Sequence, residues 1–274
     1  MNFMVVIVFL LVVLVGISLG MIGGGGSILT VPILVYFMGI NPILATSYSL
    51  FIVGSTSMVG AVINYRKGFV CLNTAMLFGL SSITTVYFTR KILLPAIPSV
   101  VFQTDHLQIT KSTAIMVLFA LLMLLAATAM IRGKKKDVDN DPCILDGAKD
   151  IPKLLFYGIL IGIITGLLGV GGGFLLIPTL VFILKKPMKE AIGTSLLIIA
   201  LNSLIGFTGD IGHFTMEWNF LIMVTITAIG GIFVGGFLSK KINGESLKKA
   251  FGWFVLIMGI YIFIKEIFFI HPAT

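Results

Sequence analysis

A run of glycines occurs twice in this chain, and each time it breaks an apolar segment. The first is Gly20-Met21-Ile22-Gly23-Gly24-Gly25-Gly26-Ser27, followed by Ile28 to Pro32. The second is Gly166-Leu167-Leu168-Gly169-Val170-Gly171-Gly172-Gly173, followed by Phe174 to Pro178. An offset of 146 residues lays Gly16 on Gly162, Gly20 on Gly166, Gly23 on Gly169 and Pro32 on Pro178. The same broken segment near the start of each half reads as an internal duplication. Paired Gly/Pro-interrupted hydrophobic segments point to the substrate site of a repeat-built transporter.

The surrounding sequence places these segments in lipid. The chain is 58% hydrophobic and 11% charged, with a mean hydropathy of +1.12. Soluble domains carry about a quarter charged residues. The apolar stretches suit helices rather than barrel strands of about ten residues, so the expected class is an all-α integral membrane protein. A formal charge of +8 does not point to nucleic acid, because the basic residues fall in short clusters between apolar runs, as in cytoplasmic membrane loops. The first run starts from the uncharged Met1-Asn2-Phe3 and continues into the glycine motif, so it reads as a membrane segment rather than a cleaved leader. Cys71 and Cys143 form neither a CxxC nor a metal-ligand spacing and read as reduced residues.

Apolar segments are expected at about 3–22, 28–38, 43–63, 69–89 and 112–131, and again at about 154–168, 174–184, 190–208, 219–238 and 250–270. Between them, residues 132–152 form the one long polar stretch. This divides the chain into an N-terminal membrane repeat (1–131), a linker (132–152) and a C-terminal membrane repeat (153–274). A two-residue insertion after Pro178 brings Thr46-Ser47 onto Thr194-Ser195. The segment after each glycine run is short. Eleven residues reach about 16 Å, roughly half of the hydrocarbon core. Each pair is therefore either a hairpin whose tip stops inside the membrane or one long helix with a flexible middle.

Positive charge separates these cases. If each glycine run reverses the chain, 15 of the 19 Lys and Arg residues share one side, leaving Arg90, Lys91, Lys111 and Lys265 on the other. If each run passes straight on, the division is 9 against 10. The positive-inside rule favours reversal. Each half then has five segments, so the second half is inverted relative to the first. Both termini face out, and the linker is cytoplasmic.

Consecutive glycines cost about 1 kcal/mol each in a helix relative to alanine, and in lipid their amides must be satisfied by protein or by a water-lined cavity. A helix restarting after such a break presents unpaired N–H groups and about half a positive charge. Glycine lets an anion approach that backbone closely. The reading assigns a small oxyanion to Gly24, Gly25, Gly26, Ser27, Gly171, Gly172 and Gly173. Thr46, Ser47, Thr194, Ser195 and Asn202, on the segments that follow, supply neutral donors. The competing explanation for glycines at four-residue spacing (Gly16/Gly20, Gly162/Gly166, Gly231/Gly235) is close helix packing, and for the hydroxyls it is interhelical hydrogen bonding. Pro32 and Pro178 are expected in the first turn of the restarted helices. Asp210 and His213 read either as a protonatable pair at the outer mouth or as two solvated loop residues. No catalytic constellation, metal-ligand set or cofactor motif is visible, so neither an enzyme nor a cofactor is expected.

The doubled pattern GxxGxGGGxxxxP, present at Gly166–Pro178 with a variant at Gly20–Pro32, resembles the TauE/SafE family of sulfite and organosulfonate exporters. Ala191-Ile192-Gly193-Thr194-Ser195-Leu196 and Gly212-His213-Phe214 resemble that family's second half. The first copy departs from the pattern at Gly24 and Ser27. The resemblance implies an inner-membrane permease that exports small sulfur oxyanions such as sulfite, sulfoacetate or related sulfonates, as a homodimer; the leading reading is that the two inverted halves carry the anion by alternating access. An anion channel of the same fold is the alternative, with a membrane-embedded enzyme or assembly factor behind it.

Overall fold

The computed structural model describes residues 3–104, 107–132, 151–183, 187–213, 215–238 and 244–268. The linker 132–152 lies, apart from its ends, outside the described residues, as do His106 and Cys143.

The first apolar run is one helix, α1 (Phe3–Ile22). Gly23, with φ 77°, ends it in a conformation that a side chain would strain. The chain then runs through a 3-10 turn (Gly24–Leu29), the short α2 (Thr30–Pro32) and a π segment (Ile33–Phe37). It does not continue straight. A Cβ placed on Gly26 would strike Ser18 Oγ, Leu19 N and Val15 O, so the return leg lies back along α1. The second half does the same. After α7 (Ile151–Leu168) the chain turns through Gly169, Gly171 and Gly172, all with φ between 67° and 76°, into α8 (Gly173–Pro178) and a π segment (Thr179–Ile183). There a Cβ on Gly172 would meet Thr165 and Ile161. Gly26 and Gly172, Leu19 and Thr165, and Val15 and Ile161 stand at the same 146-residue offset. Both glycine runs are hairpin tips.

Pro32 lies in the first turn of α2, as expected, but Pro178 is not where the sequence placed it: it is the last residue of α8, more than a turn beyond the restart at Gly173. A π segment follows both immediately. Proline lacks the N–H for the i−4 bond and its ring crowds that carbonyl, and a locally widened helix relieves the crowding.

The long helices close around these hairpins. α3 (Pro42–Arg66) starts on the Asn41 side chain, whose Oδ1 accepts the Ile43 N–H at 3.0 Å, with Pro42 at the first position. α4 (Leu72–Phe88) runs on through a π segment (Thr89–Leu93) into α5 (Leu94–Ala96). An antiparallel hairpin of β1 (Val100–Thr104) and β2 (Leu107–Thr110) connects it to α6 (Lys111–Arg132). The helical reading missed these two strands. The second half contributes α9 (Met188–Asp210), α10 (Trp218–Leu238) and α11 (Gly244–Phe268).

Among these, α3, α6, α9 and α10 are long and apolar enough to cross a membrane. α3 and α9 form the centre, each 67% buried over its most apolar stretch, against 39% for α6 and α10. Packing is pairwise: α1 on α10, α7 on α4, α3 on α9, and α6 on α11, with α4 also touching α9 and α10 touching α3. Small residues set the closest approaches. Gly16 and Gly20 face the α10 backbone at Ala228, Gly231 and Ile232, and Gly162 and Gly166 face Ser82 and Thr85 of α4 and Thr89 just after it. The chain is an all-α membrane fold in which the β-hairpin is the exception.

One cysteine reading fails: Cys71 is disulfide-bonded. Its backbone N–H donates to Thr194 Oγ1 at 3.0 Å, which satisfies the start of α4.

Candidate functional site

The two hairpin tips meet. A Cβ on Gly24 would collide with the Gly173 backbone, and one on Gly173 would collide with Gly24, so only two glycines allow this approach. Ile199 of α9 closes one side of the contact. The two glycine runs therefore converge at Gly24 and Gly173.

The other glycines divide. Gly171 lies against Ser203 Oγ, Ile199 and Val53, between the two central helices. Gly26 and Gly172 instead face back onto α1 and α7 and hold the hairpins closed. Ser27 is fully buried, and its hydroxyl donates to Gly24 O at 2.7 Å within its own turn. Gly25 lies in the same 3-10 turn.

The matched Thr-Ser pairs also separate. Thr46 donates to Ile43 O at 2.7 Å, and its Cβ and carbonyl abut the space a Gly169 side chain would fill. Thr194 accepts from Cys71, and Ser195 donates to Ile192 O at 2.9 Å, so this second pair works at the other end of the bundle. Asn202 is fully buried; its Oδ1 accepts from Ser82 Oγ at 2.9 Å, while its Nδ2 has no partner. Ser203 Oγ, beside Gly171, also has none.

Ser47 leads to a group that sequence reasoning missed. Its hydroxyl donates to Asp210 Oδ2 at 2.6 Å. Arg90 Nη1 donates to the same oxygen at 2.9 Å and lies 3.5 Å from Ser47 Oγ. The Arg90 side chain is completely buried and Asp210 is only 2% exposed. Arg90 Nε and Nη2 have no partner, and a Cβ on Gly169 would lie 2.5 Å from Nη2. A buried ion pair thus sits against the second glycine tip.

This corrects two expectations. Arg90 is not one of the charges of an outer loop. Asp210 is neither solvated nor paired with the His213 ring: His213 is exposed and only its backbone N–H reaches Asp210 O, at 3.1 Å. One signal was available. Arg90 stands in Thr89-Arg90-Lys91-Ile92-Leu93-Leu94, where the apolar run resumes after the charges. The π segment carries the helix through them.

A shallow cavity of about 510 Å³, lined by Asn41, Ile43, Ile97, Ser99, Thr110, Lys111 and Ser112, opens beside the start of α3, one turn from Thr46 and Ser47. Lys111 Nζ donates to Leu94 O and Ile97 O and closes the end of α5.

The glycine tips and the surrounding helices belong to a pattern that covers nearly the whole chain. Residues 8–262 match the family model described as sulfite exporter TauE/SafE. The chain belongs to this family. A "Probable membrane transporter protein" of Xylella fastidiosa is 28% identical over 254 residues, covering 91% of both chains. One from Haemophilus influenzae is 26% identical over 280 residues, covering 92% of this chain and 95% of its own. One from Methanocaldococcus jannaschii is 34% identical over 117 residues, 40% of this chain and 44% of its own. No solved structure matches the chain. Family and relatives are those of membrane transporters, which agrees with the apolar helices.

Proposed function

We propose that this TauE/SafE-family chain is a secondary transporter in the cell's inner membrane that exports a small sulfur oxyanion, such as sulfite or an organosulfonate, by alternating access. The observation that carries the reading is the meeting of Gly24 and Gly173, where two hairpins touch tip to tip between α3 and α9. Broken helices that meet at the interface of two halves are the usual setting of a transporter's substrate site. The polar groups around the second tip support an anion: Ser203 Oγ and Arg90 Nε and Nη2 are buried without partners, as is Asn202 Nδ2 of the residue preceding Ser203. The sulfur comes from the family alone.

In this reading residues 1–131 and 153–274 are inverted halves joined by a cytoplasmic linker at 132–152, with both termini outside. The pairwise packing supports it: α1 on α10 mirrors α7 on α4, and α10 on α3 mirrors α4 on α9. Rocking about the paired α3 and α9 exposes the tips alternately to either side. The substrate positions are Gly24, Gly25, Gly173 and Gly171 at the tips, with Thr46, Ser47 and Asn202 nearby; Gly26, Ser27, Gly172, Thr194 and Ser195 support them through the hairpin and helix ends. A homodimer belongs to the same proposal.

Uptake into proteoliposomes tests the substrate class. Sulfite and sulfoacetate are expected to enter at rates well above acetate and above protein-free vesicles. Equal rates for all anions at the protein-free level would remove the proposal.

A further inference from the structure

We infer that Arg90 is the charged anchor for the transported anion, that it takes a singly charged oxyanion through its Nε–Nη2 edge, and that Asp210 and Ser47 hold it in position. The inference rests on the transport reading above and adds the residue that gives it its charge selectivity.

The argument starts from which N–H groups are used. Guanidinium is a planar fork, and its Nε and Nη2 form one edge that matches two oxygens of a carboxylate, sulfonate or phosphate. In Arg90 that whole edge is unpartnered, while Nη1, on the opposite side, makes both contacts, to Asp210 Oδ2 and Ser47 Oγ. The residue is 1% exposed, so no bulk water reaches the free edge. A purely structural ion pair would be expected to satisfy such groups, because a buried donor without an acceptor is costly and rare.

The edge also faces the right element. Nη2 lies where a side chain on residue 169 would begin, and residue 169 is a glycine with φ 68°. Two residues on, the unpartnered Ser203 hydroxyl lies 2.3 Å from where a Cβ on Gly171 would stand. Donors without acceptors therefore press against the second tip at two glycines, Gly169 and Gly171, where no side chain fits. An oxyanion admitted as the tip moves aside accepts from the Nε–Nη2 edge of Arg90 with two oxygens.

Charge sets the class of ligand. Asp210 already neutralises the guanidinium, so a bound monoanion leaves the buried group with one net negative charge and a dianion leaves two. Burying uncompensated charge is strongly unfavourable. A sulfonate or hydrogensulfite therefore carries the smaller penalty and sulfate the larger. Asp210 competes with the ligand electrostatically while fixing the fork, so removing its charge and removing the fork have opposite effects.

The test is anion-dependent thermal stabilisation of the purified full-length chain, with methanesulfonate, sulfite and sulfate as probes, beside uptake of labelled sulfite into proteoliposomes. Wild type should be stabilised by methanesulfonate and sulfite at concentrations at least tenfold below those needed for sulfate. Arg90→Lys, which keeps the charge and loses the fork, should raise the half-effect concentration at least tenfold. Asp210→Asn should lower it. The double variant Arg90→Gln/Asp210→Asn, a neutral hydrogen-bonding pair that guards against misfolding, should respond to none of the three. A wild-type response in Arg90→Lys or in the double variant would overturn the assignment, as would a loss in Asp210→Asn equal to that in Arg90→Lys, or wild type that binds none of the probes. Wild type that binds these anions but does not carry sulfite would leave Arg90 as the anchor and remove the transport reading instead.

Discussion

Gly24 and Gly173 stand 149 positions apart in the chain and touch backbone to backbone, with no room at either for a Cβ. Everything proposed for this protein depends on that contact, because it brings two separately folded hairpins to one point between the central helices. The first prediction follows directly. Gly24→Ala and Gly173→Ala should each force the tips apart, costing about 1–3 kcal/mol of stability by overpacking. They should abolish most anion flux at equal protein density. Alanine at Gly230 or Gly236, where the space is open, is the control and should leave both unchanged. Flux and thermal midpoints of the reconstituted variants decide it.

Gly172 sits in the middle of the second run, but a substitution there says little about a ligand. Gly172 has φ 76° and faces Thr165 on its own hairpin, so a side chain there breaks the fold before it reaches any ligand.

Asp210 supports a second prediction. Asp210→Ala leaves the Arg90 guanidinium buried without its counter-ion, and the cost of breaking such a pair is about 3–5 kcal/mol. The variant should melt well below wild type. Adding Arg90→Met should recover stability without recovering flux. If Asp210→Ala melts like wild type, the two groups are not paired in the membrane.

Two hydroxyls beside Asn202 and Gly171 should behave differently. Ser82→Ala removes the partner of Asn202 Oδ1 and should cost about 1–3 kcal/mol, the penalty of a buried acceptor left unsatisfied. Ser203→Ala removes an oxygen that bonds nothing in the unliganded fold, so stability should change by less than about 0.5 kcal/mol. The half-saturation concentration for the transported anion should rise severalfold. Thermal denaturation beside concentration-dependent uptake separates these outcomes.

Much of this architecture was legible in the residues, and the reason is physical. In lipid a helix must be apolar along its length, so the starts of α1, α6, α9 and α10 fall within two residues of the apolar boundaries. The glycine runs were legible as tips because reversal was the arrangement that gathered the positive charge. What the sequence hid was pairing at a distance. Arg90 and Asp210 each look like a charge at the end of an apolar run, and nothing local shows that a residue 120 positions away neutralises it. Pro178 was misplaced for a related reason. Composition does not mark where a helix restarts after a glycine run, so Pro178 was assigned the commonest helical position for proline. The Val100–Thr110 hairpin did leave a mark, in alternating residues such as Phe102, Gln103 and Thr104, but so short a run does not stand out between two long apolar segments.

Sidedness gives a further prediction. In a Cys71→Ser/Cys143→Ser background, Asn140→Cys in the linker should resist an impermeant thiol reagent applied to intact cells. Ser99→Cys, exposed beside the β-hairpin, should react. The reverse pattern would invert the proposed topology.

Counterflow is the most direct test of the central claim that the two tips form a site exposed alternately to either side. Proteoliposomes preloaded with unlabelled sulfite, then diluted into trace labelled sulfite, should accumulate label transiently above equilibrium, with an initial rate that saturates with sulfite. Flux that rises linearly with concentration and shows no overshoot would contradict alternating access and identify an open anion pathway.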